Sequence, residues 1–464
     1  MPRPTLELSM IVRNSSATLK RCLQSVCHLV DRILIGDTGS HDDTIDIAHT
    51  FGAEVISIPW QNDFAHARNS VLKRSLCDWI LILDSDDMLD PTAAPGLAAA
   101  IAQSHISAFD VCIWNYVRDT NTRFGSQGTI ANPFLLEASR PYPAYARSVN
   151  TRLFRRHPEV FFERPVHETV SHRLDTLKLP RAIAPFLIHH FGHAEDPLET
   201  RQRKNELYQS IGRSSLQSTA PDPNPNAPPN NPPSATTQHP ADTRPHDART
   251  YFELGLGELE HYRRPKAALA LFTHAHTLNP TDAEPLLFAG ICLLRLRRYP
   301  EALLSLSQSK SLNPDSIVLH EAIGDVRFKQ AQYVAARAAY SYALGLGSGS
   351  ALIEAKLGAS EVHLGQKERG MNRILQALRR EPDFPELYTV ASASALLAGD
   401  LPLAAEIATR RIDLDQPIAF DYALAASLNL SAGNRDRGKT LLQEGLLLFP
   451  SDLELQRAAL GKHP

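Results

Sequence analysis

The chain has 464 residues, a charged fraction of 21% and a formal net charge of -3. A single hydrophobic core stops growing at about 250–300 residues, so this length predicts at least two globular domains, and the absence of a basic excess gives no reason to expect a nucleic-acid partner. Five cysteines, Cys22, Cys27, Cys77, Cys112 and Cys292, are odd in number and hold no C-x-x-C pair, which argues against a disulfide framework or a zinc site and leaves them as small buried residues.

The opening MPRPTLELSMIVRN lacks the apolar stretch of a signal peptide, and no window reaches the ~18 uninterrupted apolar residues of a membrane span, so a soluble cytoplasmic protein is expected. In chain order, LELSMIV at 6–12 is the first expected strand. Leu19, Cys22, Leu23 and Val26 then recur at helical spacing behind a Ser15-Ser16 cap. RILIG at 32–36 is the second strand, Asp42 to Phe51 a short helix that Gly52 terminates, and EVISI at 54–58 the third strand. Asp63 to Leu76 is helical and WILIL at 79–83 is the fourth strand. Strands apolar on both faces that alternate with helices predict an α/β domain over residues 1–212, its parallel sheet covered on both sides.

Residues 214–246 carry nine of the 33 prolines and almost nothing large and apolar, so 213–247 is expected to be an extended, solvated linker. Beyond it, across 248–464, comes a repeat. Pro280 and Pro314 stand 34 residues apart, with Pro382 and Pro450 on the same register; Gly290, Gly324 and Gly358 keep that spacing, and Ala302, Ala336 and Ala404 occupy one recurring position. Small residues where two helices cross, with proline at the unit's end, predict about six helix pairs. Ser348 and Gln416 replace proline, and the first unit carries one extra residue around Pro265.

The stretch DWILILDSDDMLD at 78–90 sets Asp84, Asp86 and Asp87 at the end of the fourth strand, and Asp37 ends the second. Ligands of open parallel sheets bind beyond the carboxyl ends of the strands, so these acids face one crevice. Asp84-Ser85-Asp86 is a D-x-D, able to offer one carboxylate to a ribose and another to magnesium or manganese, whose remaining positions phosphate oxygens and water fill. Plainer readings stand beside this one. Aspartates in turns hydrogen-bond their own backbone, and Asp37 in DTGS can shape a turn and cap a helix with Ser40 and Asp42. Asp90 before Pro91 reads as a helix N-cap. Arg68 can be a solvated helix charge, His189 a satisfied semi-buried histidine, and Glu168 the partner of Arg164 or Arg152.

SMIVRN (9–14), DTGSHDDT (37–44), WQNDFAHARN (60–69) and DWILILDSDD (78–87), in that order, resemble the family-2 glycosyltransferases of GT-A fold, in particular the subgroup joined to tetratricopeptide (TPR) units. RLFRR (152–156), VHE (166–168), IHHFG (188–192) and KNELY (204–208) match that subgroup's later blocks. His41 departs from the usual threonine and Asp87 from a more frequent glutamate, neither of which is expected to disturb the chemistry. The resemblance implies that Arg13, Asn14 and Asp37 hold the nucleotide of a sugar donor, that Arg68 faces its diphosphate or base, and that Asp84 meets the ribose. Asp86 then binds the metal, His190 supplies a further metal or diphosphate contact, and Glu168 is the candidate general base. Arg152 and Arg155 are expected to shape the site or meet the acceptor.

The resulting expectation is a metal-dependent, inverting transferase acting from a nucleotide-sugar to a protein, peptide or glycan acceptor. Its TPR array would bind a protein partner, position the acceptor or self-associate. Two alternatives remain: a non-catalytic TPR scaffold with a degenerate nucleotide-sugar domain, and a nucleotidyltransferase. The second would need a glycine-rich, lysine-containing phosphate loop that SMIVRNSS does not offer.

Overall fold

The N-terminal apolar runs pair as a parallel sheet in the order β3-β2-β1-β4, from β1 (Leu6–Val12), β2 (Arg32–Asp37), β3 (Glu54–Ser57) and β4 (Trp79–Ile82). The continuous parallel part of the expected mostly parallel sheet ends there. The remaining strands are β5 (Asp87–Leu89), β6 (Ala108–Val117), the two-residue β7 (Ile130–Ala131), β8 (Ala144–Arg155) and β9 (Arg181–His190). The order continues β8-β6-β9-β5, with β4–β8, β8–β6 and β9–β5 antiparallel and only β6–β9 parallel. The fold is α/β, a GT-A-type sheet followed by an all-helical repeat array. The structure, a computed structural model, describes residues 3–122, 128–219, 244–414 and 417–459. No helix among them is long and apolar enough to cross a membrane.

Both faces of the sheet are covered, for reasons visible in the helix patterns. On α1 (Leu19–Val26) the residues Leu19, Cys22, Leu23 and Val26 form one buried stripe against Leu6, Leu8, Met10 and Trp79. Next in the chain come α2 (Thr44–Thr50) and α3 (Phe64–Leu72). On the opposite face α3 lays Ala67 and Val71 over Leu34 and Ile58. It lies so close that a Cβ on Gly36 would meet Ile58 and Val71 at 2.5 and 2.6 Å. Helix ends differ from expectation. Thr18, not a serine side chain, precedes α1, where the Ser15 carbonyl accepts from Leu19 N at 2.9 Å. α3 ends at Leu72, and α4 (Ala93–Ile101) takes Thr92 as its N-cap, so Asp90 lies outside it.

After α5 (Ser171–Thr176) and α6 (Gly192–Glu195), α7 (Leu198–Thr219) continues through what was expected to be the start of the linker, and α8 (Arg244–Leu256) begins before its expected end. The proline-rich residues between them lie outside the described residues, as does Gln416. The chain divides elsewhere: Met1–Arg118 with Asn132–Cys292 makes one unit, Asp119–Ala131 with Leu293–Pro464 the other. The first unit reaches past the proline-rich stretch because α8 packs on α7. Gln209 Nε2 donates to the Glu253 carbonyl at 3.0 Å, Arg213 pairs with Glu258 at 3.2 Å, and Ile211 and Leu254 are buried.

The 34-residue period is borne out helix by helix. First helices of successive pairs begin at Ala283, Ile317, Ala351, Pro385 and Ala419, and second helices at Pro265, Tyr299, Tyr333, Lys367, Leu401 and Arg435. Each turn inside a pair needs one left-handed residue, and positive φ recurs at Arg263, Arg297, Ala331, Gly365, Gly399 and Gly433. Ala302, Ala336 and Ala404 are fully buried at the helix crossings. A π turn, Gly257–His261, precedes Pro265; such a turn takes in one extra residue.

In the second unit the segment Asp119–Ala131 caps the helix Ala351–His363. Ala351 N donates to Thr120 Oγ1 at 3.1 Å and Leu352 N to Asn121 Oδ1 at 3.0 Å, while Glu381 accepts from Thr120 N at 3.1 Å and Asn121 Nδ2 at 2.5 Å. The helix's otherwise unpaired N-terminal donors are thus satisfied by chain from more than two hundred residues earlier.

Candidate active site

Six of the expected residues converge. Asp84 extends β4 past the sheet's carboxyl edge and is gripped by two guanidiniums: Arg68 Nη2 reaches Oδ1 at 2.6 Å and Arg152 Nη2 reaches Oδ2 at 2.9 Å. Burial works against its charge, but Arg152 and Arg68 hold the carboxyl well below the usual carboxylate range. Arg68, on α3, also donates from Nε to Glu168 Oε1 at 2.6 Å. Glu168 is therefore an ion-pair partner of Arg68 rather than of Arg164 or Arg152. Arg68 is only 7% exposed, and its Nη1 is buried without a hydrogen-bond partner.

The Glu168 loop is tightly made. Glu163 and Thr169 exchange backbone hydrogen bonds at 3.0 and 3.2 Å, and between them Arg164 and His167 sit at φ 75° and 54°. Left-handed conformations cost non-glycine residues about 1–2 kcal/mol each, strain that surrounding structure must offset. Phe64 N at the start of α3 bonds the Pro165 carbonyl at 2.8 Å, tying the loop to the helix that carries Arg68.

The second half of the site is set by strand register. β5 pairs with β9 so that Asp87 faces His190. Asp87 is fully buried; its Oδ1 lies 2.8 Å from His190 Nδ1 and its Oδ2 accepts from Asp84 N at 2.8 Å. Both oxygens of this short side chain are thus used to hold neighbours. Asp86 Oδ1 is 3.6 Å from His190 Nδ1. Asp86, Asp87 and His190 offer ligand atoms within 4.8 Å of one another. This set of oxygens and one imidazole nitrogen fits magnesium or manganese. With Nδ1 pointed at Asp87, Nε2 of His190 is left without a hydrogen-bond partner among the described residues, the arrangement in which a carboxylate orients a metal-binding histidine.

Burial raises the Asp86 carboxyl, with Asp87 and Asp84 adding to it and His190 pulling the other way. Burial opposes charge on His190, yet Asp86 and Asp87 push its imidazole up to about 9. A raised imidazole contributes stability in full below its unfolded value of about 6.5 and loses it as pH rises through the folded value. Metal-free protein is expected to lose roughly 3 kcal/mol of stability to urea between about pH 6.5 and 9.5, a loss absent in His190→Gln. Saturating manganese should flatten the wild-type curve, since a cation takes the neutral ring. Identical curves for wild type and variant would separate His190 from both carboxylates.

Other expected residues lie apart from this cluster. Asp37 ends β2 beside Val12, is buried, and accepts from Gly39 N at 3.0 Å and Ser40 N at 3.1 Å, so its turn-shaping role is real. Asn14 adopts φ 48° and accepts from His41 N at 2.8 Å, and Arg13 beside it is exposed. His189 is a satisfied core histidine between Tyr116 and Asp90, each at 2.9 Å. Arg155 does not reach the site: it lies over Trp79 at 4.4 Å and binds the carbonyls of Ile106 and Gln103. One residue escaped the sequence reading altogether. Gly192 presses its Cα so closely on Asp86 that a Cβ would fall 1.9 Å from Oδ2; only its place in IHHFG marked it.

Residues 8–161 match the model of the glycosyl transferase family 2. A TPR repeat-containing protein of Synechococcus elongatus is 32% identical over 212 residues, which are 44% of this chain and 47% of that protein. The SPbeta prophage-derived glycosyltransferase SunS of Bacillus subtilis is 27% identical over 206 residues, 44% of this chain and 43% of its own length. The chain thus spans less than half the length of these curated relatives. Among solved structures, a tetratricopeptide repeat protein from Parabacteroides merdae superposes with a TM-score of 0.43 at 13% identity, over 56% of this chain and 92% of that one.

Proposed function

We propose, from an N-terminal domain that belongs to glycosyl transferase family 2 and is followed by TPR repeats, that the protein transfers a sugar from a nucleotide-sugar donor to an acceptor hydroxyl or similar nucleophile, with inversion. The observation that carries this reading is the joining of Asp84, Arg68 and Glu168 in one hydrogen-bonded chain beside Asp86, Asp87 and His190 at the carboxyl edge of the sheet.

Glu168 accepts the acceptor's proton as the acceptor oxygen attacks the anomeric carbon; the bond from that carbon to the diphosphate oxygen breaks, and its electron pair leaves with the phosphate. Arg68 occupies only Oε1 of Glu168 in the structure, so the carboxylate has a second oxygen with which to take the proton. Asp86 and His190 hold the magnesium or manganese ion, which supplies charge neutralisation to the leaving diphosphate when bound. Asp87 fixes the ring of His190. Arg13, Asn14, Asp37 and Asp84 surround the nucleotide, and Arg68 turns its unpaired Nη1 to the donor.

The second unit supports a partner-binding role. A groove of ≈ 720 Å³ runs between its repeats, with Tyr299, Phe328 and His363 along it, Arg297 and Lys329 at its wall, and Lys356 paired with Asp325 and Glu321. Such a lining suits an extended protein or peptide segment, acceptor or partner, that brings apolar and acidic side chains.

The test is a panel of nucleotide sugars with manganese, measuring donor turnover and transfer by wild type, Asp86→Asn and Glu168→Gln. Wild type is expected to consume one donor. Glu168→Gln should retain donor and manganese binding while losing roughly 10²–10⁴-fold in rate. Asp86→Asn should lose manganese affinity and turnover together. Undiminished turnover in either variant removes that residue from the mechanism; silence with every donor and no manganese binding favours the non-catalytic scaffold.

A further inference from the structure

One part of the first unit has no place in this scheme: the KNELY stretch, which lies on α7. Lys204 and Tyr208 are one turn apart and so share a face of the helix. The Tyr208 ring meets Phe64 edge-on at 5.7 Å and His167 at 5.8 Å. Phe64 lies one turn before Arg68 on α3, and His167 precedes Glu168. Tyr208 is therefore wedged between the two elements that the Arg68–Glu168 pair joins.

Its hydroxyl has no hydrogen-bond partner among the described residues, although burial and then the carboxylates of Glu168, Asp84, Asp86 and Asp196 push the phenol up to about 12. A phenol so placed stays a donor. Lys204 reaches the same neighbourhood through Asp196, whose backbone N donates to the carbonyl of Gly192, the residue packed on Asp86. Its ammonium donates to Asp196 at 2.7 Å, and its side chain is 48% exposed. The base of the helix is tied to the same place, because Phe191 N bonds the Asp86 carbonyl at 3.1 Å and Gly192 packs on Asp86.

We propose that α7 is the second wall of the donor site: Lys204 and Tyr208 supply an ammonium and a hydroxyl that bind the donor's diphosphate opposite the acids that hold the cation. This rests on the transferase reading and adds to it residues that act on the phosphates without binding the metal. The four carboxylates otherwise repel a diphosphate. Arg68 is spent largely on Asp84 and Glu168, which leaves a need for further donors.

The test uses inorganic pyrophosphate with manganese as probe, titrated calorimetrically into wild type, Lys204→Met, Tyr208→Phe and Asp86→Asn. Manganese binding alone is followed in parallel by electron paramagnetic resonance. Tyr208→Phe keeps the ring that packs on Phe64, and Lys204→Met keeps the aliphatic stem, so both should fold. Each is expected to weaken pyrophosphate about tenfold or more, the size of a lost hydrogen bond to a charged group, with manganese affinity unchanged. Wild-type pyrophosphate affinity in both, alongside its loss in Asp86→Asn, overturns the role of α7 and leaves the transferase reading standing. Wild type that binds no manganese–pyrophosphate overturns both.

Discussion

Gly192→Ala is expected to cost the site about 100-fold in manganese affinity while leaving the protein folded, the upper end of what a change beside the metal ligands does. The added methyl would sit 1.9 Å from Asp86 Oδ2, 2.8 Å from Asp86 Cγ and 3.2 Å from His190 Nε2, so neither ligand can stay where it is. Escape by the backbone is hindered, because Phe191 N is bonded to the Asp86 carbonyl and Ala194 and Glu195 N to the Phe191 carbonyl. Escape by the Asp86 side chain is open, but it abandons the direction in which carboxylate and imidazole converge. Titration of manganese followed by resonance spectroscopy, with thermal unfolding as control, decides it. Wild-type affinity in the alanine variant would mean that Asp86 does not bind the cation from this rotamer.

The second large effect concerns the fragment 1–212, the domain that composition alone would cut out. It is expected to be unstable and inactive, losing roughly 5 kcal/mol or more, as much as many domains possess. The cut removes α8, and with it the Glu253 carbonyl that Gln209 bonds and the Glu253 carboxylate 3.6 Å from His167, beside the candidate base. It also strands Thr120 and Asn121, whose partners are Glu381 and the start of the helix at Ala351. Soluble yield, calorimetric unfolding and donor turnover of the fragment against the full chain measure this. A fragment with a cooperative transition and full turnover would show that the first unit needs neither α8 nor the array.

Much of the molecule could be read directly from its residues. Runs such as LELSMIV and WILIL are buried on both faces, and a stretch of that length with that composition has few alternatives to an interior parallel strand. The 34-residue period announced the helix pairs, whose starts recur at that spacing, because each unit meets only its neighbours, so local spacing is the whole of the constraint. Asp84 and Asp86 were marked by standing at a strand end, and Arg68, Glu168 and His190 by their motifs.

What the residues did not disclose are contacts across long stretches of chain. Nothing local in VNTRLFR or RAIAPFLIHH says whether they run with or against β4, since alternation is the same in either direction. The Asp87–His190 pair spans 103 residues and follows from the register of β5 on β9; one step of slip would turn both side chains away. The same holds for Glu168 choosing Arg68 over Arg164, and for Asp119–Ala131 capping a helix of the array. Pattern along the chain determined the elements, their order and the candidate chemistry. Packing decided which distant groups share a site, because closing loops of a hundred residues costs little more for the right partner than for a wrong one, and only complementary burial and hydrogen bonding separate them.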